Sequence, residues 1–211
     1  MDNYRHFEHL KEFEKEGVDY RIRWRVEDSG IAILSIHGGD IEPGTSENAD
    51  AIAGSDHTFY AFEGMKHAGN RALHITSTVF NEPIGLEIVC LSEIILSIHG
   101  CHETEALVYF GGMDHELRKR IQQRLTSAGF NSVDNDTKYT GRDPANICNI
   151  CGRGMGSLEI SRGLRAQLFK DLTPQGRSLP TEDLSRFVRA IQDALEPFKL
   201  PVMESVCEGL D

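Results

Sequence analysis

Three side chains in this sequence have the types and placement of a metal-binding set. His37-Gly-Gly-Asp-Ile-Glu42 puts a histidine and a carboxylate on one short loop, and His99 recurs in a matching setting further along. Two imidazoles and one carboxylate, with water in the fourth position, are the usual ligands of a catalytic zinc ion. Such an ion lowers the pKa of its water toward about 7 and makes hydroxide available at neutral pH. A lone histidine is more often a packed core or loop residue. Two at equivalent positions, one followed by Gly-Gly and a nearby acid, tip the balance toward metal.

Hydrolysis also needs a base for the proton of water. Glu159, in Gly154-Met-Gly-Ser-Leu-Glu-Ile-Ser161, lies near the end of a short apolar stretch. A carboxylate there is unfavourable without a partner, so a base and a structural ion pair both stay open. Asn70-Arg71 and Arg162 fall beside other expected strand ends, with Arg142, Arg153 and Arg165 nearby in sequence. Arginine grips carboxylates bidentately, which suits an acidic substrate. His102 is the best substitute ligand, and His74 reads as strand interior or site wall. His57, His67 and His115 have no convincing partner. Ser157 lacks the second glycine of a nucleophile elbow, and Gly152-Arg-Gly-Met-Gly156 lacks the ending of a phosphate loop.

These groups need elements to hold them. Leu34-Ser-Ile-His-Gly38 recurs as Leu96-Ser-Ile-His-Gly100, each closing an apolar stretch with histidine at its carboxyl end. In open α/β sheets the crevice beyond the strand carboxyl ends is where ligands bind. Gly30–Ile36 and Glu93–Ile98 read as buried strands, and Tyr20–Val26 alternates like an edge strand. His57–Phe62, Ala72–Thr76, Ala106–Phe110 and Met155–Ile160 are further strand candidates. Helices are expected from Tyr4 to Glu16, from a Thr45 or Ser46 cap to Gly54, and from Pro83 to Leu91. Asp114–Ala128 and Thr181–Pro197 carry apolar residues at helical spacing. The alternation predicts an α/β fold, a mixed sheet flanked by helices, in one catalytic domain over residues 1–211.

Hydrophobic residues make up 39% and charged residues 26%, which excludes disorder as the reading of the whole chain. The net charge of −11 argues against a nucleic-acid partner, although a local basic cleft can exist on an acidic protein. Apolar runs are too short to span a bilayer, so no membrane partner is expected. The charged stretch Met1–Leu10 has no signal-peptide character, so the expected location is the cytoplasm where the chain is made, with release by lysis leaving no trace in the sequence. No obligate protein partner is evident. The five cysteines, an odd number, are expected as reduced thiols, and Cys148-Asn-Ile-Cys151 is a lone pair without a second one to complete a zinc finger.

Four stretches, taken together, resemble the phage-type poly-γ-glutamate hydrolase family and its bacillar relatives. They are His37-Gly-Gly-Asp-Ile-Glu-Pro-Gly-Thr-Ser-Glu47, Asn70-Arg-Ala-Leu-His-Ile-Thr-Ser-Thr78, Ser97-Ile-His-Gly100 and Ser157-Leu-Glu-Ile-Ser161. The resemblance implies a zinc carboxypeptidase-like fold, with one Zn2+ held by His37, Glu42 and His99. It implies Glu159 as general base and the γ-amide links of poly-γ-glutamate, or a related acidic polymer, as substrate. Asn70 and Arg71 would match a pair that grips substrate carboxylate or polarises the carbonyl, with Arg162 a further carboxylate contact. The gap between His37 and Glu42 is wider than in common carboxypeptidases, which implies a bulge at Gly38-Gly39. Whether Glu42 offers one oxygen or two is left open. Other readings are a metal amidase for other acidic acyl-amino acids, or a non-catalytic metal- or polyanion-binding protein.

Overall fold

The computed structural model describes residues 2–134, 137–151 and 156–200. The first half of the chain runs α1 (Phe7–Lys11), β1 (Tyr20–Arg25), β2 (Ile31–Gly39), α2 (Thr45–Ala53), β3 (Thr58–Gly64), a 3-10 turn (Asn70–Leu73) and α3 (Pro83–Leu91). It continues through β4 (Ile94–Cys101), β5 (Val108–Gly112), α4 (His115–Ser127), β6 (Ser132–Asp134), β7 (Gly156–Ser161), α5 (Arg162–Leu168), α6 (Pro174–Arg177) and α7 (Glu182–Leu195). The seven strands form one sheet in the order β1-β3-β2-β4-β7-β5-β6. β1 runs antiparallel to β3 and β5 antiparallel to β7, while the other pairs are parallel. The expected mixed α/β architecture is therefore present.

Central strands β2 and β3 are buried almost throughout, as parallel strands covered on both faces must be. On one face, α2 meets Gly38 through Ser46, α5 meets Gly100 through Arg165, and α4 meets Gly156 through Leu117. Helix α7 joins that layer through Gln192, which donates to the Ile52 carbonyl, and through Phe187 against Phe130. The other face is covered by α1, whose Phe7 packs on Tyr20 and Phe62, and by α3, whose Gly85 lies against Tyr60. Ile33, Leu34, Phe59, Phe62, Phe110 and Phe187 are fully enclosed or nearly so. Each such side chain contributes about 1.5–3 kcal/mol by leaving water.

Several elements differ from the sequence reading. The first helix covers only Phe7–Lys11, well short of the expected Tyr4–Glu16, although Gly17 does take a left-handed turn at φ 78°. Gly44, not Thr45 or Ser46, caps α2. Those two hydroxyls face backward instead: Thr45 donates to the Glu42 carbonyl at 2.9 Å, and Ser46 accepts the Gly39 N–H at 3.1 Å. Ala72–Thr76 is not a strand but the end of the 3-10 turn followed by irregular backbone. Helices α5 and α6 and strand β6 were not anticipated. Met155, Arg153 and the rest of the glycine-rich stretch 152–155, with Cys207, lie outside the described residues.

The cysteine expectation also needs correcting. Cys90, at the end of α3, and Cys151 form a disulfide, with their Cα atoms 5.0 Å apart. Cys148, the other member of the CxxC, is free and buried in the core. No helix among the described residues is long and apolar enough to cross a membrane.

The order of connections places the site. From β2 the chain crosses to β3 on one side, then through α3 to β4 on the other side of β2. The crossover direction thus reverses at β2, and a crevice opens between the carboxyl ends of β2 and β4. The two Leu-Ser-Ile-His-Gly stretches lie there side by side, but out of step by one residue: Leu34 pairs with Ser97, not with Leu96. In a regular sheet a one-residue offset sends equivalent side chains to opposite faces. A bulge corrects this. Between Ser35↔Ala61 and Gly38↔Glu63, β2 uses one residue more than β3. The extra residue lets Ile36 and His37 face the same side, so His37 meets His99. The bulge precedes the expected Gly38-Gly39 position, and those glycines close it.

Gly39 is the tightest point, at φ 62°, where an added Cβ would stand 2.3 Å from the Gly64 carbonyl oxygen. Gly39→Ala is therefore expected to lose about 1–3 kcal/mol or more in urea unfolding. A variant as stable as the parent chain would show that this strand end is free to shift.

Candidate metal centre

Both histidines stand at carboxyl ends of central strands and point to one spot. His37 Nδ1 and His99 Nδ1 are 3.2 Å apart, and His37 Nδ1 is 3.4 Å from Glu42 Oε1. One ligand atom from each of His37, Glu42 and His99 falls within 4.8 Å of the others, a group among the described residues that could hold a metal ion. The outer ring nitrogens are both engaged. His37 Nε2 donates to the Ile75 carbonyl at 2.8 Å, and His99 Nε2 meets the Ser97 hydroxyl at 2.8 Å. A carbonyl only accepts, so His37 carries hydrogen on Nε2 and turns Nδ1 inward. Such outer partners orient metal ligands and set their tautomers. Ser97 precedes His99 by two positions on the same strand face, a signal legible from strand periodicity.

Glu42 is held by one oxygen. Its Oε2 accepts the Gly100 N–H at 2.8 Å, which leaves Oε1 toward the histidines. The loop that carries it is braced by Arg177, a buried cation. Arg177 pairs with Asp40 at 2.8 Å and Glu47 at 2.7 Å, and donates to the Leu172 carbonyl at 2.7 Å. No sequence signal links Arg177 to this loop.

The donor chemistry fits a divalent cation. Burial alone would raise the Glu42 carboxyl, but the charge of His37 and the Gly100 N–H outweigh it and bring it to about 2. Burial likewise works against charge on His37, yet Glu42 overrides it and holds the imidazole above its ordinary range. Burial and the neighbouring charge of His37 press His99 down to about 4. A raised His37 beside a lowered Glu42 marks a spot that favours positive charge, which a divalent cation would supply.

Glu159 lies directly across the β4–β7 pair from His99 and across the β5–β7 pair from Tyr109. It shares the face of His99. Burial first, and then the Glu42 charge, push its carboxyl up to about 8 against the opposing pull of His37 and Arg165.

The cations separate into different roles. Arg165 is buried, and its guanidinium donates to three carbonyls: Ile160 at 3.1 Å, Pro43 at 2.5 Å and Cys101 at 2.9 Å. It lies flat under Gly100, where a Cβ would come within 2.7 Å of Cζ, so the position after His99 has room only for glycine. Arg162 opens α5 and lines a cavity of about 420 Å³ with Glu42, Gly100, His102 and Thr173. Arg71 is exposed and meets His102 Nε2 at 3.1 Å. His102 thus stands outside the ligand group, at the cavity wall. Asn70 is buried and spans the Lys66 peptide, accepting its N–H at 2.8 Å and donating to its carbonyl at 2.7 Å. His74 stacks on the His37 ring at 4.0 Å.

The molecule has well-matched relatives. A family model described as poly-gamma-glutamate hydrolase matches residues 4–190. The UPF0714 protein YndL of Bacillus subtilis (strain 168) is 36% identical over 199 residues, covering 89% of this chain and 78% of its own. Among solved structures, a bacteriophage poly-γ-glutamate hydrolase superposes with a TM-score of 0.91 at 30% identity, over 94% of this chain and 98% of that one. Zinc-free YndL superposes at 0.89 with 34% identity, over 93% and 98%. The zinc carboxypeptidase-like fold of those two structures is the fold found here. By sequence and by fold, this chain belongs to the poly-γ-glutamate hydrolase family.

Proposed function

We propose that residues 1–211 form one catalytic domain that hydrolyses γ-glutamyl amide bonds of poly-γ-glutamate, with one zinc ion held by His37, Glu42 and His99. The observation that carries this reading is the convergence of three ligand atoms within 4.8 Å, with Glu159 beside them on the same sheet face. A zinc ion held by such a set supplies Lewis acidity, which lowers the pKa of water toward about 7 and polarises a carbonyl. Glu159 takes the proton of the attacking water and passes it to the leaving amine. Without metal, burial raises its carboxyl to about 8; a nearby cation would lower it again, so that it is ionised and ready to accept a proton near neutral pH.

The arginines deal with substrate charge. Arg71 is exposed beside the cavity wall and Arg162 lines the cavity, which supports a role for both in taking free α-carboxylates bidentately. Asn70 serves by fixing the loop from which Arg71 projects. Arg165, with its donors on three carbonyls, keeps the Glu42 loop against β4 and β7. These local cations offset the overall charge of −11 for an anionic polymer.

Incubation with poly-γ-glutamate should shorten the γ-linked polymer and leave α-linked polyglutamate intact. Chelation should stop the reaction and added zinc restore it. Shortening of neither polymer, with retained binding, would support a non-catalytic polyanion-binding protein instead. Glu159→Gln should keep zinc while lowering kcat by about 10²–10⁴. A wild-type rate in that variant would remove Glu159 from the base role.

The same residue gives a pH prediction for the metal-free protein. An acid with folded pKa about 8 and ordinary value 4.5 binds its proton more tightly in the fold. The stability it confers is fully present below about 4.5 and is lost as pH rises toward 8. In chelator, the wild-type chain should lose urea stability relative to Glu159→Gln across that window. Parallel curves would show that the Glu159 carboxyl is not raised.

A further inference from the structure

One peptide group beside the metal set is engaged at both ends. Its carbonyl, from Ile75, accepts from His37 Nε2 at 2.8 Å. Its N–H, from Thr76, donates to Asp2 Oδ2 at 2.6 Å. The Thr76 hydroxyl donates to the same oxygen at 2.5 Å. The other carboxylate oxygen, Oδ1, lies 2.8 Å from His74 Nδ1, and the His74 ring is stacked on that of His37 with centroids 4.0 Å apart. A single carboxylate thus touches both the peptide that holds the edge of the His37 ring and the ring that covers its face.

We infer that Asp2 is a positioning residue for His37, acting through the Ile75–Thr76 peptide and the His74 ring. The inference rests on the reading of His37, Glu42 and His99 as a metal centre. Metal-bound histidines commonly donate their second N–H to a carboxylate, which fixes the ring and raises its basicity. Here a peptide unit is interposed between carboxylate and ring. An anion on the N–H side polarises the amide and makes its carbonyl a stronger acceptor, because linked hydrogen bonds reinforce one another. The stronger acceptor holds hydrogen on Nε2 and keeps the Nδ1 lone pair turned inward. His74, held by the other carboxylate oxygen, blocks rotation of the His37 ring out of that plane. Asp2 and Thr76 are 74 positions apart, so helical or strand periodicity does not link them.

A structural anchor would also hold this part of the chain in place, and a second anchor provides the control. The Phe7 N–H donates to the Asn81 side chain at 2.8 Å, tying the same N-terminal stretch to the region after Thr76 without touching His37. Zinc affinity of the full-length protein can be measured by competition with a chromophoric chelator. Metal-free melting curves and the absorption of cobalt-substituted protein serve alongside. Asp2→Ala should weaken zinc binding about tenfold or more and alter the cobalt spectrum. Asp2→Asn, which keeps shape but not charge, should fall between. Asn81→Ala should lower the melting temperature while holding zinc affinity within about twofold of the parent, well below the loss expected for an outer-shell partner. Zinc affinity unchanged in folded Asp2→Ala, or an equal loss in Asn81→Ala, would overturn the inference. If Asp2→Ala does not fold, unchanged affinity in Asp2→Asn overturns it equally. A parent chain that binds no zinc would instead overturn the metal-centre reading itself.

Discussion

A strand alternates its side chains, and the site rests on one interruption of that rule. Two neighbouring parallel strands carry the same Leu-Ser-Ile-His-Gly stretch, but their pairing is offset by one residue, so unbroken alternation would send the two histidines to opposite faces. The extra residue of β2 between Ser35 and Gly38 brings them together. The local geometry follows from this bulge. Gly38 lies against Ser46 and Glu63, and Gly39 passes within contact of Gly64, because the strand must recover its path within two residues. The offset also splits the two serines. Ser97 reaches its own histidine, while Ser35 turns to the other face and bonds Thr45 at 3.0 Å, helping hold the loop that carries Glu42.

Around this bulge the structure arranges charge in layers. The carboxylates of Glu42 and of the neighbouring Glu159 lie on the same crevice, and both feel the buried guanidinium of Arg165. That cation approaches from the helix side of β4, beneath Gly100, and satisfies carbonyls from three different segments. It therefore balances negative charge without occupying the ligand side. Arg177 does similar work one layer further out, through Asp40 and Glu47.

Much of this was legible in the sequence because it depends on local pattern. Apolar runs marked β2 and β4, Pro83 marked the start of α3, and the histidines at strand ends marked the crevice. The helix at Thr45 was recognisable, but its cap was not: Gly44 takes that place, and Thr45 and Ser46 spend their hydroxyls on the preceding loop. Ala72–Thr76 has β-forming residues yet forms no strand, because its main-chain groups are committed to His37 and Asp2. The structural roles of Arg165 and Arg177 could not be read from local pattern, since their partners Pro43, Cys101, Asp40 and Glu47 are distant in sequence. The reduced-thiol expectation failed for a related reason: Cys90 and Cys151 are brought together only by the packing of α3 against the later segment.

That disulfide bears on the register of the sheet. Cys90 lies just before β4 and Cys151 a short way before β7, and these are the two adjacent strands that end in His99 and Glu159. Parallel strands slide past each other most easily where nothing ties their starting points, and a slide of one residue would turn Glu159 to the opposite face. The covalent tie lies at the amino ends, away from the ligand group. By joining the lead-in to β4 with the segment that precedes β7, it shortens the free path of chain between the two strands and so limits the offsets open to them in the unfolded chain.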